Sequence, residues 1–193
     1  TRRSSELTSM VSDRGAAGDT PAALALKGDT LVVGSEFSGG NVGAAYVFKA
    51  SGGNFSLARK ISSGVANGRF GRGVAVDGSQ IVVGAPGETS SRGAVYVYDS
   101  SSFTLQTRIE SPLSANSYFG AAVAIENSLL AVGAPGASLY RDTQTGELLL
   151  FSKSGSAWAP IATNPLVIGA KSNIPAKNGA GAPEPVTIGL GSE

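Results

Sequence analysis

Between Gly73 and Ile109 the apolar and polar residues fall into four short runs. Gly73–Asp77 is mostly apolar. Ile81-Val82-Val83, inside Gln80–Gly84, is unbroken. Ala94–Tyr98 sets Val95 and Val97 against Ala94, Tyr96 and Tyr98. Phe103–Ile109 sets Phe103, Leu105, Thr107 and Ile109 against Thr104, Gln106 and Arg108. Alternation with a period of two marks a half-buried strand, and a short unbroken apolar run marks a strand covered on both faces. Asp77-Gly78 supplies a tight turn between the first two strands. Pro86 has no amide hydrogen and ends the second. Gly84 is read as backbone freedom where the chain leaves a crowded centre, and Gly93 as the point where it restarts in the opposite direction. No window carries an apolar stripe at helical spacing, so almost no helix is expected.

The pattern repeats. Phe70–Gly87, moved forward 49 positions, lands on Phe119–Gly136, and ten of the eighteen aligned residues are identical. Moved back 50 positions it lands on Thr20–Phe37, where Leu31-Val32-Val33-Gly34 matches Ile81-Val82-Val83-Gly84. This first copy has Thr20-Pro21 in place of Phe-Gly and Ser35-Glu36 in place of Ala-Pro. Gly43–Phe48, Gly93–Tyr98 and Gly146–Phe151 follow in step, then Phe55–Ile61, Phe103–Ile109 and Trp158–Ile161. Four antiparallel strands in about fifty residues predict one propeller blade, which buries its two apolar faces only by stacking on neighbours. The expected fold is all-β: about three blades at 20–61, 70–109 and 119–162, as a partial or oligomer-completed ring. Residues 1–12 align with the last strand of a preceding blade, completing a propeller region over 1–162. Residues 163–193, with four of the nine prolines, are expected to form an extended tail. Within it Leu166–Ala170 and Val186–Leu190 remain strand-capable, so the tail reads as a linker or as a segment that pairs with an open edge.

Phe70-Gly71 with Gly84-Ala85-Pro86, and Phe119-Gly120 with Gly133-Ala134-Pro135, resemble FG-GAP repeats, which build the β-propeller of integrin α subunits and many microbial surface proteins. The resemblance covers about residues 13–162 and implies an extracellular or cell-surface protein. It also implies that the connections between strands two and three share one face of the blades. Many members of that family carry an acidic calcium loop between strands one and two. Here those turns are Lys27-Gly28-Asp29, Asp77-Gly78-Ser79 and Glu126-Asn127-Ser128, each with at most one acid. Calcium takes six to eight oxygen ligands, so no calcium is expected there and Asp77 reads as a turn former.

Composition narrows the function. Hydrophobic residues make up 41%, enough for a core, while only 15% are charged against roughly 25% in an average domain. A net charge of +1 argues against nucleic acid or an anionic membrane as partner. There is no cysteine, so no disulfide or thiolate site. There is no histidine, which removes the commonest general base and metal ligand. No apolar run is long enough to span a membrane as a helix. The acids are scattered at turns rather than paired for glycoside hydrolysis, so neither an enzyme nor a cofactor is expected. The chain opens at Thr1 rather than Met, so either a leader was removed or the sequence is part of a longer one.

What remains is binding through loops. The connections Ser35–Val42, Pro86–Arg92 and Pro135–Thr145 are expected on one face, together with the inter-blade segments Ser62–Arg69 and Glu110–Tyr118. Tyr140, Arg141 and Asp142 in the longest loop combine an aromatic ring, a fork-shaped cation and a carboxylate, a set suited to a sugar or peptide. Glu36, Phe37, Glu88 and Arg92 are further candidates. Trp158 is read as core, and Asn54-Phe55-Ser56 is a glycosylation sequon for a secreted chain. The first reading is a non-catalytic extracellular or cell-surface module for adhesion or assembly, its partner a protein or another copy that completes the ring. The alternatives are a carbohydrate-binding propeller, an accessory propeller of a larger surface protein or enzyme, and a subunit of an extracellular filament.

Overall fold

The computed structural model describes residues 19–137 and 146–161. The strand expected over residues 1–12 and the tail expected over 163–193 lie outside these. Among the described residues twelve strands form three four-stranded antiparallel sheets, each a simple meander. The first holds β1 (Ala23–Lys27), β2 (Thr30–Ser35), β3 (Ala44–Ser51) and β4 (Asn54–Ile61). The second holds β5 (Val74–Val76), β6 (Gln80–Ala85), β7 (Ala94–Asp99) and β8 (Leu105–Glu110). The third holds β9 (Ala122–Glu126), β10 (Leu129–Ala134), β11 (Glu147–Ser154) and β12 (Ala157–Pro160). These are three propeller-type blades in an open ring.

The period-two reading of the second blade matches its packing. Val82, Val95 and Val97 pack against Leu130, Val132 and Phe151 of the third blade. Ile81, Val83, Tyr96 and Tyr98 turn the other way, onto Val32, Ala45 and Val47 of the first. Phe70 stands at that seam, with its ring centroid 5.3 Å from Tyr96 and 6.3 Å from Tyr98, edge-on to both. Phe119 repeats the arrangement against Phe151 at 5.9 Å. Fully burying such a side chain is worth about 1.5–3 kcal/mol, so the seams rather than the separate sheets hold the chain together. Trp158 packs half-buried against the second seam.

Three local expectations are corrected. The outer strand of the second blade does not alternate throughout. Val97 faces Thr107 but Tyr98 faces Leu105, so Gln106 is an extra residue and the faces exchange there. The first blade bulges at the same place, with Ala58 extra between Arg59 and Leu57. A bulge inserts one unpaired residue and reverses the in-out pattern beyond it. Second, this strand starts at Leu105 rather than Phe103. Asp99 Oδ1 accepts the amide hydrogens of Ser101 at 3.0 Å and Ser102 at 2.7 Å, closing a turn that leaves Phe103 at φ +57°. Third, Gly84 has no left-handed backbone. Its missing Cβ makes room for the next blade: a methyl group there would overlap the Gly120 carbonyl, as one on Gly34 would overlap that of Gly71.

Two single turns, α1 (Ser38–Asn41) and α2 (Glu88–Ser91), link the second and third strands of the first two blades. Both are left-handed inside. Gly39, Gly40 and Asn41 have φ of 61°, 71° and 69°, and Thr89, Ser90 and Ser91 have 51°, 57° and 59°. Glycine takes this conformation freely, whereas a β-branched threonine is strained in it.

Candidate functional site

The left-handed turns fix the loop face. They aim successive carbonyls at the segment leading into the next blade. Asn116 N–H donates to Ser90 O at 3.2 Å, Tyr118 to Ser91 O at 2.8 Å and Phe119 to Arg92 O at 3.1 Å. At the first seam Arg69 N–H donates to Asn41 O at 2.9 Å and Phe70 to Val42 O at 3.0 Å. In the first two blades the strand-two-to-three loops and the inter-blade segments therefore share one face, as expected; most of the third such loop, Pro135–Thr145, lies outside the described residues.

On that face, lined by residues from all three repeats, lies a cleft of ≈ 260 Å³. Equivalent positions of successive repeats line it: Glu36, Pro86 and Pro135; Arg72 and Ala121; Arg69 and Tyr118; and Phe37 beside them. The polar chemistry sits where the first copy departs from Gly-Ala-Pro. The Glu36 side chain is buried and accepts a hydrogen bond from Arg72 Nη1 at 2.7 Å, while the Arg72 side chain is 51% exposed. The Arg69 guanidinium lies 5.9 Å from the centroid of the half-exposed Phe37 ring. Two guanidinium groups, one fixed by a buried carboxylate and one against an aromatic face, frame a hollow with apolar proline walls. Such a frame holds a planar or anionic group by charge-assisted hydrogen bonds and stacking.

Of the residues read from sequence, Glu36 and Phe37 lie in this cleft. Glu88 does not. It is 2% exposed, accepts hydrogen bonds from Tyr96 Oη at 2.8 and 3.0 Å, and accepts another from Arg108 Nη2 at 2.9 Å. Arg108 also donates from Nε to Tyr96 Oη at 3.0 Å and pairs with Glu110. Burial, and then the bond to Glu88, pushes the Tyr96 hydroxyl above its ordinary range; burial pushes neighbouring Tyr98 up to about 12. The inner members of this network, Glu88 and Tyr96, are buried at the first seam and offer no surface to a ligand, while Arg108 and Glu110 form its solvent edge. The first blade carries its counterpart: Tyr46 Oη donates to Asp19 Oδ2 at 2.9 Å, and Lys60 lies 5.0 Å over the Tyr46 ring. Arg92 is exposed, and its backbone carbonyl takes the Phe119 amide. Asn54 is exposed at the start of β4. Tyr140, Arg141 and Asp142 lie outside the described residues.

Arg69, Arg72 and Tyr118 escape a reading of single loops. The available signal is a contrast between repeats: Arg72 stands where the third has Ala121, and Glu36 where the others have Pro86 and Pro135. Asp77 folds onto its own backbone, with Oδ1 accepting from Ser79 N at 3.1 Å and Gln80 N at 2.9 Å. Among the described residues no group of three or more acids gathers into a metal-ligand set. One carboxylate stands apart. Glu147 replaces the alanine of the other two repeats, is 8% exposed, and its Oε2 has no hydrogen-bond partner among the described residues. Burial pushes its carboxyl above the usual range.

Three stacked four-stranded sheets joined by Phe-Gly segments define an open propeller-type module. Residues 61–98, from the end of β4 through β7, match the family model described as FG-GAP repeat. The resemblance carried by Phe70-Gly71 and Gly84-Ala85-Pro86 is therefore established for the second repeat. No curated protein matches the chain. Among the described residues no helix is long and apolar enough to cross a membrane.

Proposed function

We propose that this chain is a non-catalytic extracellular or cell-surface module for adhesion or assembly, and that it meets its ligand at the cleft on the loop face. The observation that carries this reading is the pair of guanidinium groups there. Arg72 is steadied by the buried Glu36, Arg69 rests against Phe37, and both are open to solvent. The ligand this chemistry favours is a polypeptide side chain or terminus bearing a carboxylate. The non-catalytic part is supported by the engagement of four of the acids. Glu36 and Glu88 are held by arginines, and Asp77 and Asp99 by the amides of their own turns.

A panel of acidic, neutral and basic peptides, titrated against the full chain and followed by calorimetry, tests the proposal. Acidic peptides should bind, and Arg69→Ala and Arg72→Ala should each weaken binding about tenfold or more, equivalent to about 1.4 kcal/mol. Equal binding of all three peptide classes would refute it. The aromatic side chains Phe37 and Tyr118 at the same cleft favour a glycan as second reading. Binding on a glycan array that is lost in Phe37→Ala, with no affinity for acidic peptides, would establish it instead.

A further inference from the structure

The cleft on the loop face has two unlike ends. Each seam sends the same three positions of the repeat into it. At the first seam these are Glu36, Arg69 and Arg72; at the second they are Pro86, Tyr118 and Ala121. All the charge in the cleft therefore lies at its first-seam end, where two guanidinium groups accompany one carboxylate and leave a positive charge in excess. The second-seam end, continued by Pro135, is aromatic and apolar. Every residue that lines the cleft is among the described ones.

Two of these side chains stand on backbone that does not suit them. Arg69 has a φ of 52° and Tyr118 one of 55°. The seams impose this, because the Arg69 amide donates to Asn41 O at 2.9 Å and the Tyr118 amide to Ser91 O at 2.8 Å. Only the amide is needed for that bond, and glycine or asparagine would supply it with less strain. Asparagine does fill the other left-handed position of the same segment, at Asn67 and Asn116, with φ of 57° and 62°. Arginine and tyrosine at 69 and 118 are thus accounted for by what their side chains do in the cleft rather than by the backbone. The Tyr118 ring is half-buried and rests on Gly136, where a Cβ would stand 2.6 Å from its Cδ2. Its position is set before any ligand arrives.

We propose that the cleft reads two neighbouring side chains at once, and that its ligand is a peptide segment with an aromatic residue next to an acidic one. Arg69 and Arg72 hold the carboxylate by charge-assisted hydrogen bonds, and the ligand's ring packs against Tyr118 and the neighbouring prolines. Paired rings gain more than the area they bury, so an acid alone leaves the Tyr118 end of the cleft unused. At ≈ 260 Å³ the cleft lies just below the about 300–1,000 Å³ of pockets that enclose a small molecule, a size for two side chains rather than a folded surface. The requirement for a ring adds to the acidic-peptide reading above and rests on it.

The test is calorimetric titration of the full chain with three end-capped peptides that differ at one residue from the first. The first carries phenylalanine next to aspartate, the second alanine next to aspartate, and the third phenylalanine next to asparagine. The first should bind about tenfold or more tighter than either of the others. Tyr118→Asn should remove most of its advantage over the second peptide, and Tyr118→Phe, which keeps the ring, should preserve it. Nuclear magnetic resonance of the labelled complex should show Overhauser contacts between the peptide's phenylalanine ring and the Tyr118 ring. Equal binding of the first and second peptides would overturn the ring requirement alone and leave the acidic-peptide reading standing. Failure of both aspartate peptides to bind would overturn the two together. An advantage that survives Tyr118→Asn would put the ring at another site and would also overturn the proposal.

Discussion

Arg72 of the second blade donates to Glu36 of the first across 2.7 Å, linking the two blades at the point where the first repeat lacks its Ala-Pro. The acid is buried and the cation half exposed. Removing the cation alone therefore leaves an unpaired carboxylate inside the fold. Arg72→Ala should cost about 1–3 kcal/mol in chemical denaturation. Adding Glu36→Gln to it should recover most of the loss, and a cycle with no coupling would show that the pair is not linked in solution.

Gly84→Ala should destabilise the chain by about 1–3 kcal/mol, because its methyl group meets the rigid carbonyl of Gly120 rather than a flexible side chain. The fluorescence of Trp158, packed at the same seam, offers a local reporter of the transition. A neutral substitution would mean that the second and third blades are not pressed together as described.

Thr89 is β-branched and left-handed, whereas its counterpart in the first blade is Gly39. Thr89→Gly relieves that strain, and the relief should exceed the entropy that glycine adds to the unfolded chain. The expected gain is about 0.5–1 kcal/mol in equilibrium unfolding. The reverse change, Gly39→Thr, should lose a similar amount.

Glu147 holds its proton more tightly when folded than when unfolded, because burial raises its pKa above 4.5. Its relative contribution is thus greatest below that value and is lost as pH rises through the raised folded pKa. Glu147→Ala, which restores the residue of the other repeats, should raise stability at pH 7 by about 1 kcal/mol, or about 2–4 °C in melting temperature. The advantage should shrink toward pH 4. An advantage independent of pH would exclude the carboxylate as its source.

Asp99 runs the other way. Backbone amide hydrogen bonds from Ser102, with the hydroxyls of Ser101 and Ser102, lower its carboxyl from 3.8 to about 2. The turn is supported above the ordinary carboxylate range and loses that support as pH falls from about 4 through 2. The protection factors of the Ser101 and Ser102 amides, referred to the intrinsic exchange rate at each pH, should fall over that interval, and Asp99→Asn should abolish the dependence.

The sequence discloses what is local. Alternation along Ala94–Tyr98 assigns every residue to the correct seam, and Pro86 marks where the strand ends, because period and proline act within a few residues. The bulge at Gln106 leaves no trace, since one extra residue among alternating ones still reads as alternation. The purpose of Gly84 depends on a carbonyl 36 positions away, and the burial of Glu88 on Arg108, 20 positions on. Arg69, Arg72 and Tyr118 meet only because three blades are brought round a common centre. Nothing near each in the chain announces that meeting.

The displaced register of the outer strands bears on side-by-side aggregation, a hazard for so weakly charged a sequence. A straight, bare strand at a sheet margin invites a stranger to zip along it. At Ala58 and Gln106 the margin is broken by an unmatched residue, and the third blade ends in only four residues closed by Pro160. Each outer border is thus spoiled as a template, and a surface rich in serine and glycine needs no dense coat of charge to resist clumping side by side.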